Sequence, residues 1–169
     1  MKLNPRSIAL CAVLTALALG LSTLENLFPV TLIVPLPGVK LGLANIVTVF
    51  ALYELGAVPA LTILAARCLL GGVFAGNLSA LLFSLLGGFT AMLVMIALKH
   101  CKGLSIYGVS IGGAAAHNIG QMAAAVITLG STMVLGYLPF LLAVSLFTGA
   151  LTGFITALLL RATRHIRFH

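Results

Sequence analysis

The stretch LSALLFSLLGGFTAMLVMIAL, from Leu78 to Leu98, contains no ionisable residue. A helix needs roughly 20 predominantly apolar residues to cross the hydrocarbon core of a bilayer, and this run supplies them without a break. Working outward, the whole chain has the same character. Of its 169 residues 62% are apolar and 7% charged, as nine Lys/Arg and two Glu, with no Asp and no Trp. A soluble domain carries about a quarter of its residues as charges, so there is too little polar surface here to cover a water-facing globule. The composition excludes a soluble enzyme, a disordered chain and any metal chemistry built on clustered aspartates. A small transmembrane barrel would show short alternating segments, whereas this chain has long apolar runs. The expected class is an all-α integral membrane protein.

Six segments are legible. The first helix is expected over Arg6–Leu24; Lys2 and Arg6 ahead of it mimic a signal peptide, but no A-x-A cleavage site follows, so it reads as a retained helix. Pro29–Lys40, PVTLIVPLPGVK, is apolar yet holds three prolines, which break regular helix, and reads as an irregular extracellular loop. Helices are then expected over Leu41–Leu55 and Pro59–Ala75, both short, and over Leu78–Leu98, Leu104–Leu129 and Leu135–Thr163. They form a single six-helix transmembrane domain covering residues 1–169 in the cell membrane.

The cations test that count. Basic residues favour the cytoplasmic ends of spanning helices. With six spans and both termini inside, Lys2, Arg6, Lys99, Lys102, Arg161, Arg164 and Arg167 all fall on the cytoplasmic side. An odd number of spans would split the N-terminal pair from the C-terminal three. The net charge of +7 is therefore mostly topology, and no basic face is left for nucleic acid.

Two cations remain. Lys40 ends the proline-rich loop, and Arg67 sits near the middle of the third helix. A charge at that depth costs roughly 2.5–3.5 kcal/mol on insertion scales, so it normally faces the bundle interior and has a partner or a ligand. Arg67 either pairs with Glu25, Glu54 or helix carbonyls, or joins Lys40 in binding an anionic solute from outside.

A polar cluster marks the fifth helix, His117-Asn118-Ile119-Gly120-Gln121. His117 and Gln121 are four apart and Asn118 and Gln121 three apart, so they share one side of a helix. Gly108, Gly112, Ala116, Gly120 and Ala124 recur every four residues beside them, spacing that lets helix backbones approach closely in lipid. One stripe thus packs on a neighbour while the polar patch faces inward, as interhelical hydrogen bonds or as a lined cavity that Asn45 and Asn77 complete. Ser145, Gly149, Gly153 and Ala157 form a similar ladder on the sixth helix, read as internal packing. Ala12, Ala16 and Gly20 form one on the first, which fits either internal packing or another membrane subunit. Cys11, Cys68 and Cys101 have no disulfide or metal spacing, and no Walker-type phosphate loop is present.

Four stretches carry a family resemblance: Pro37-Gly38-Val39-Lys40-Leu41-Gly42-Leu43-Ala44-Asn45, Arg67-Cys68-Leu69-Leu70-Gly71, Ser84-Leu85-Leu86-Gly87-Gly88 and Ala116-His117-Asn118-Ile119-Gly120-Gln121. Together they resemble the Gx transporter family, also described as heptaprenyl diphosphate synthase component I. The likeness covers nearly the whole chain. Members resemble the substrate-binding S component of energy-coupling factor transporters, which implies six helices around a cavity near the outer face. It also implies that Pro29–Lys40 helps to close that cavity, and that Ala12, Ala16 and Gly20 dock a transmembrane coupling subunit served by ATPase subunits. The resemblance assigns no ligand residues.

Chemistry bears on the synthase label. Prenyl chain elongation grips a diphosphate through magnesium, which needs oxygen ligands, usually carboxylates. Two distant glutamates cannot build that site, so no enzymatic activity and no cofactor are expected. The expected function is a membrane substrate-binding and uptake subunit for a small amphiphilic or anionic solute, such as an isoprenoid, quinone precursor or vitamin-like molecule. Lys40 and Arg67 would meet its negative group and His117, Asn118 and Gln121 would hydrogen-bond it, with Asn45 and Asn77 in support. The alternatives are a non-catalytic accessory membrane subunit of prenyl diphosphate synthesis, a structural or regulatory subunit with no ligand, and a self-sufficient small transporter. The last would want a coupling-ion site, for which carboxylates are scarce.

Overall fold

Local signals set the helix ends. The structure, a computed structural model, describes residues 5–27 and 42–164, with side chains described for 5–25 and 42–164. Six α-helices follow in order: α1 Pro5–Leu27, α2 Leu43–Glu54, α3 Ala57–Ala75, α4 Leu78–His100, α5 Ile106–Leu129 and α6 Leu138–Ala162. Gly42 and Gly76, at φ 79° and 59°, take the left-handed conformation that opens α2 and closes α3, where a side chain would be strained. The Asn77 side chain accepts from the backbone N–H groups of Ser79 and Ala80 at 2.9 and 3.3 Å and starts α4. Ser105 caps α5 through Gly108 N–H at 3.4 Å, so that helix begins at Ile106 rather than Leu104. Pro59 lies within the first turn of α3, where its missing N–H has no helical partner to lose, and the helix starts earlier than expected, at Ala57. The sixth helix starts later than expected because Thr132–Tyr137 winds into a tighter 3-10 turn.

Four of the described segments are long and apolar enough to cross a membrane: Pro5–Glu25, Ala57–Ala75, Leu78–His100 and Thr132–Ala162. At 12 residues, α2 extends about 18 Å, short of the roughly 30 Å hydrocarbon core. The 24-residue α5 is long enough, but His117, Asn118, Gln121 and its glycines dilute its apolar character. The chain is thus an all-helical, multi-pass membrane protein. The expected six helices are present, and four of them have the length and composition of spans.

The helices close a ring. Neighbours pack α2 on α3, α3 on α4, α4 on α5, α5 on α6 and α6 back on α2, with α1 against α2 and α3. The α4–α5 contact is set by Gly120, where an added Cβ would collide with the Leu86 carbonyl and the Thr90 hydroxyl. The α5–α6 contact is set by Gly149, where a Cβ would stand 2.6 Å from the Ile111 Cα. These are the close backbone approaches expected of small-residue ladders in lipid, and the sixth-helix ladder packs internally as expected. Leu52, Ile63, Leu64, Met92 and Val109 are fully buried. Leu78, Met133 and Phe147 point outward, each at least 77% exposed, as suits a surface solvated by lipid rather than water. Hydroxyls within the helices are satisfied by the preceding turn: Thr90 donates to Leu86 O, Thr152 to Thr148 O and Thr156 to Thr152 O, at 2.6–2.8 Å. Backbone carbonyls one turn back are the partners an apolar medium leaves available. At the end of α2 away from Gly42, Lys99 donates to Leu52 O at 2.7 Å and stands 4.9 Å from the Tyr53 ring centre.

Candidate functional site

Among the described residues, two adjoining cavities open between the helices. The smaller, about 50 Å³, is polar and gathers Glu25 from α1, Asn45 from α2, Arg67 from α3, Ser84 from α4, His117, Asn118 and Gln121 from α5, and Thr148 and Thr152 from α6. The larger, about 720 Å³, has a mainly apolar wall that includes Leu19, Phe74, Phe83, Met122, Leu129 and Leu141. Ser22, Arg67, Ser84 and Gln121 line both, so these side chains form the shared wall.

Each side chain has a definable position. Arg67 is buried, at 9% exposure, and its Nε has no hydrogen-bond partner. Among the described residues it forms no ion pair. Glu25, one of the candidate partners, lies in the same small cavity but is engaged elsewhere: its Oε1 accepts from the Gly42 N–H at 2.7 Å. That bond ties the end of α1 to the start of α2, a favourable place for a carboxylate because helix N-termini expose unpaired N–H groups. Glu54 is at the opposite end of α2 and lines neither cavity. Gln121 is buried at 8% exposure. Its Cγ and the His117 ring sit where a Cβ on Gly87 would be, at 2.9 and 3.0 Å, so the glycine makes room for both side chains. Asn118 donates to Leu141 O at 2.8 Å; its amide N–H therefore serves as an α5–α6 tie, while the residue still borders the cavity.

The structure thus brings together Asn45, Arg67, His117, Asn118 and Gln121. Asn77 stands apart from them: it caps α4 and lines only the larger cavity. Lys40 and the Pro29–Lys40 loop lie outside the described residues. Sequence reasoning missed Glu25 as a lining group, along with Ser84, Thr148 and Thr152. Glu25 had a signal, being one of two carboxylates in a chain built for lipid. The hydroxyl residues had none, because Ser and Thr recur throughout the helices. Among the described residues no three His, Cys, Asp or Glu side chains are placed to hold a metal ion.

The partner-docking candidates Ala12, Ala16 and Gly20 all lie on the exposed face of α1, and a Cβ on Gly20 would meet nothing within 4 Å. The rest of the described chain does not cover this ladder.

No curated protein and no solved structure matches the chain. The family model described as heptaprenyl diphosphate synthase component I matches residues 14–159, from within α1 almost to the end of α6 and so across both cavities. A multi-pass helical membrane protein matched over that length belongs to the heptaprenyl diphosphate synthase component I family.

Proposed function

We propose that the chain is a membrane substrate-binding and uptake subunit for a small amphiphilic or anionic solute. The observation that carries this reading is Arg67, a buried guanidinium with no ion pair among the described residues, in the wall between a small polar cavity and a large apolar one. A buried charge without a partner is costly, and in membrane helices such residues mark ligand and ion pathways. An anionic ligand group supplies the missing counter-charge. His117, Gln121 and Asn45 then offer hydrogen bonds to it, Asn118 borders the same space, and Asn77 lies on the wall of the larger cavity. The larger cavity falls within the roughly 300–1,000 Å³ range of small-molecule sites and receives the apolar body.

Six spans with both termini cytoplasmic follow from the basic residues at helix ends. Energy for transport comes from a coupling subunit and ATPase subunits, for which the uncovered ladder Ala12, Ala16 and Gly20 is the docking face. The chain itself performs no chemistry on the solute.

Titration of purified protein with cis-parinaric acid, a fluorescent anionic amphiphile, tests the site. The expected result is saturable binding that weakens at least about tenfold in Arg67→Ala, as loss of a charged hydrogen bond implies, and weakens less in His117→Ala. Identical binding in the wild type and both variants would refute the site. The family name favours a second reading, a non-catalytic accessory membrane subunit of prenyl diphosphate synthesis. It predicts co-purification with a soluble prenyl synthase and no dependence of that association on Arg67.

A further inference from the structure

The head-group chemistry of the ligand can be read from the smaller cavity, if the binding reading above holds. Three observations bear on it. First, size: the polar cavity, about 50 Å³, is small beside the 720 Å³ of its neighbour and suits a compact head group. A carboxylate fits in that space.

Second, charge: the described lining residues include one permanent cation, Arg67, and one carboxylate, Glu25. They share the cavity without forming an ion pair. A multiply charged anion would gain from Arg67 but would stand against Glu25 in a low-dielectric site, where like charges repel strongly. Magnesium, the usual remedy for diphosphate charge, needs an oxygen-ligand cluster, and the described residues offer none. Third, continuity: Arg67 and Gln121 face both cavities, so head and body belong to one molecule that passes the shared wall.

We infer that the ligand is a single-chain amphiphile with a compact, singly charged anionic head of the carboxylate kind, not a prenyl diphosphate. Its anionic oxygens meet Arg67 and the Gln121 amide. Any hydroxyl or N–H on the head faces Glu25, whose Oε2 has no bond to a described residue. The body occupies the apolar space between Phe74, Phe83, Met122 and Leu141.

Three chain-matched probes test this: farnesoic acid, farnesol and farnesyl diphosphate, each competing with cis-parinaric acid on the purified full-length chain. Farnesoic acid is expected to bind at least about tenfold more tightly than either of the others, the size of one charged hydrogen bond. In Arg67→Gln the acid and the alcohol should come within about twofold of each other. In Glu25→Gln, which removes the negative charge while leaving an amide oxygen for Gly42, the diphosphate should gain severalfold on the acid. Diphosphate binding as tight as acid binding in the wild type overturns the head-group inference and leaves the binding reading standing. Equal acid and alcohol binding in the wild type also overturns it. Absence of saturable binding by all three overturns the binding reading itself. Because Glu25→Gln keeps the α1–α2 hydrogen bond, the head-group result does not depend on Arg67 variants folding.

Discussion

Arg67 and Glu25 have opposite kinds of burial. Glu25 is satisfied by a backbone N–H, so removing it in Glu25→Ala leaves the Gly42 donor unpaired and is expected to cost about 1–3 kcal/mol of stability, measurable as a lower midpoint in detergent unfolding. Arg67 has no such partner among the described residues, and Arg67→Leu is expected to leave the unfolding midpoint unchanged or raised while weakening anion binding at least about tenfold. Gly87→Ala should act between these extremes. Its Cβ would press on Gln121 and His117, so ligand affinity falls more than stability, which paired binding and unfolding measurements would show. The sequence alone marks Arg67, His117 and Gln121, because ionisable and amide groups at mid-helix depth stand out in an apolar chain. It cannot mark the engagement of Glu25, which depends on where α1 ends relative to the start of α2. Nor can it show that Asn118 both donates to the Leu141 carbonyl on α6 and borders the polar cavity.

Glycines at the helix surfaces give the cleanest contrast among elements. Gly120 lies against the backbone of α4, whereas Gly20 faces open space on α1. The same substitution should therefore diverge: Gly120→Ala destabilises by about 1–3 kcal/mol through overpacking, while Gly20→Ala leaves the isolated chain within about 0.5 kcal/mol. Bulky replacement of the exposed ladder, Ala16→Leu with Gly20→Leu, should leave unfolding unchanged but abolish co-purification of a coupling subunit; retention of the subunit would remove the docking role. Helix positions were largely legible, since glycines, prolines and caps punctuate the apolar runs. The lengths of spans were less so. The composition supports six helices and Leu41–Leu55 already reads as short, but only the structure shows α2 at 12 residues, too short to cross alone.

The molecule as a whole is a ring of helices around a divided cavity, with a lipid-facing exterior and a polar chamber kept by a few buried groups. That arrangement suits the uneven distribution of charge: among the described residues the other cations sit at or just beyond helix ends, and Arg67 lies at the cavity wall. On the proposed topology, reporter fusions at the N-terminus and at the C-terminus should both report a cytoplasmic location; opposite locations would remove the six-span account. The central claim is that Arg67 holds the anionic head of an amphiphile whose body fills the larger cavity. Mass spectrometry of the small molecule that co-purifies in mild detergent tests it most directly. The account predicts one defined, singly charged amphiphile retained by the wild type and lost from Arg67→Ala. The same molecules in the same amounts from both proteins would contradict it.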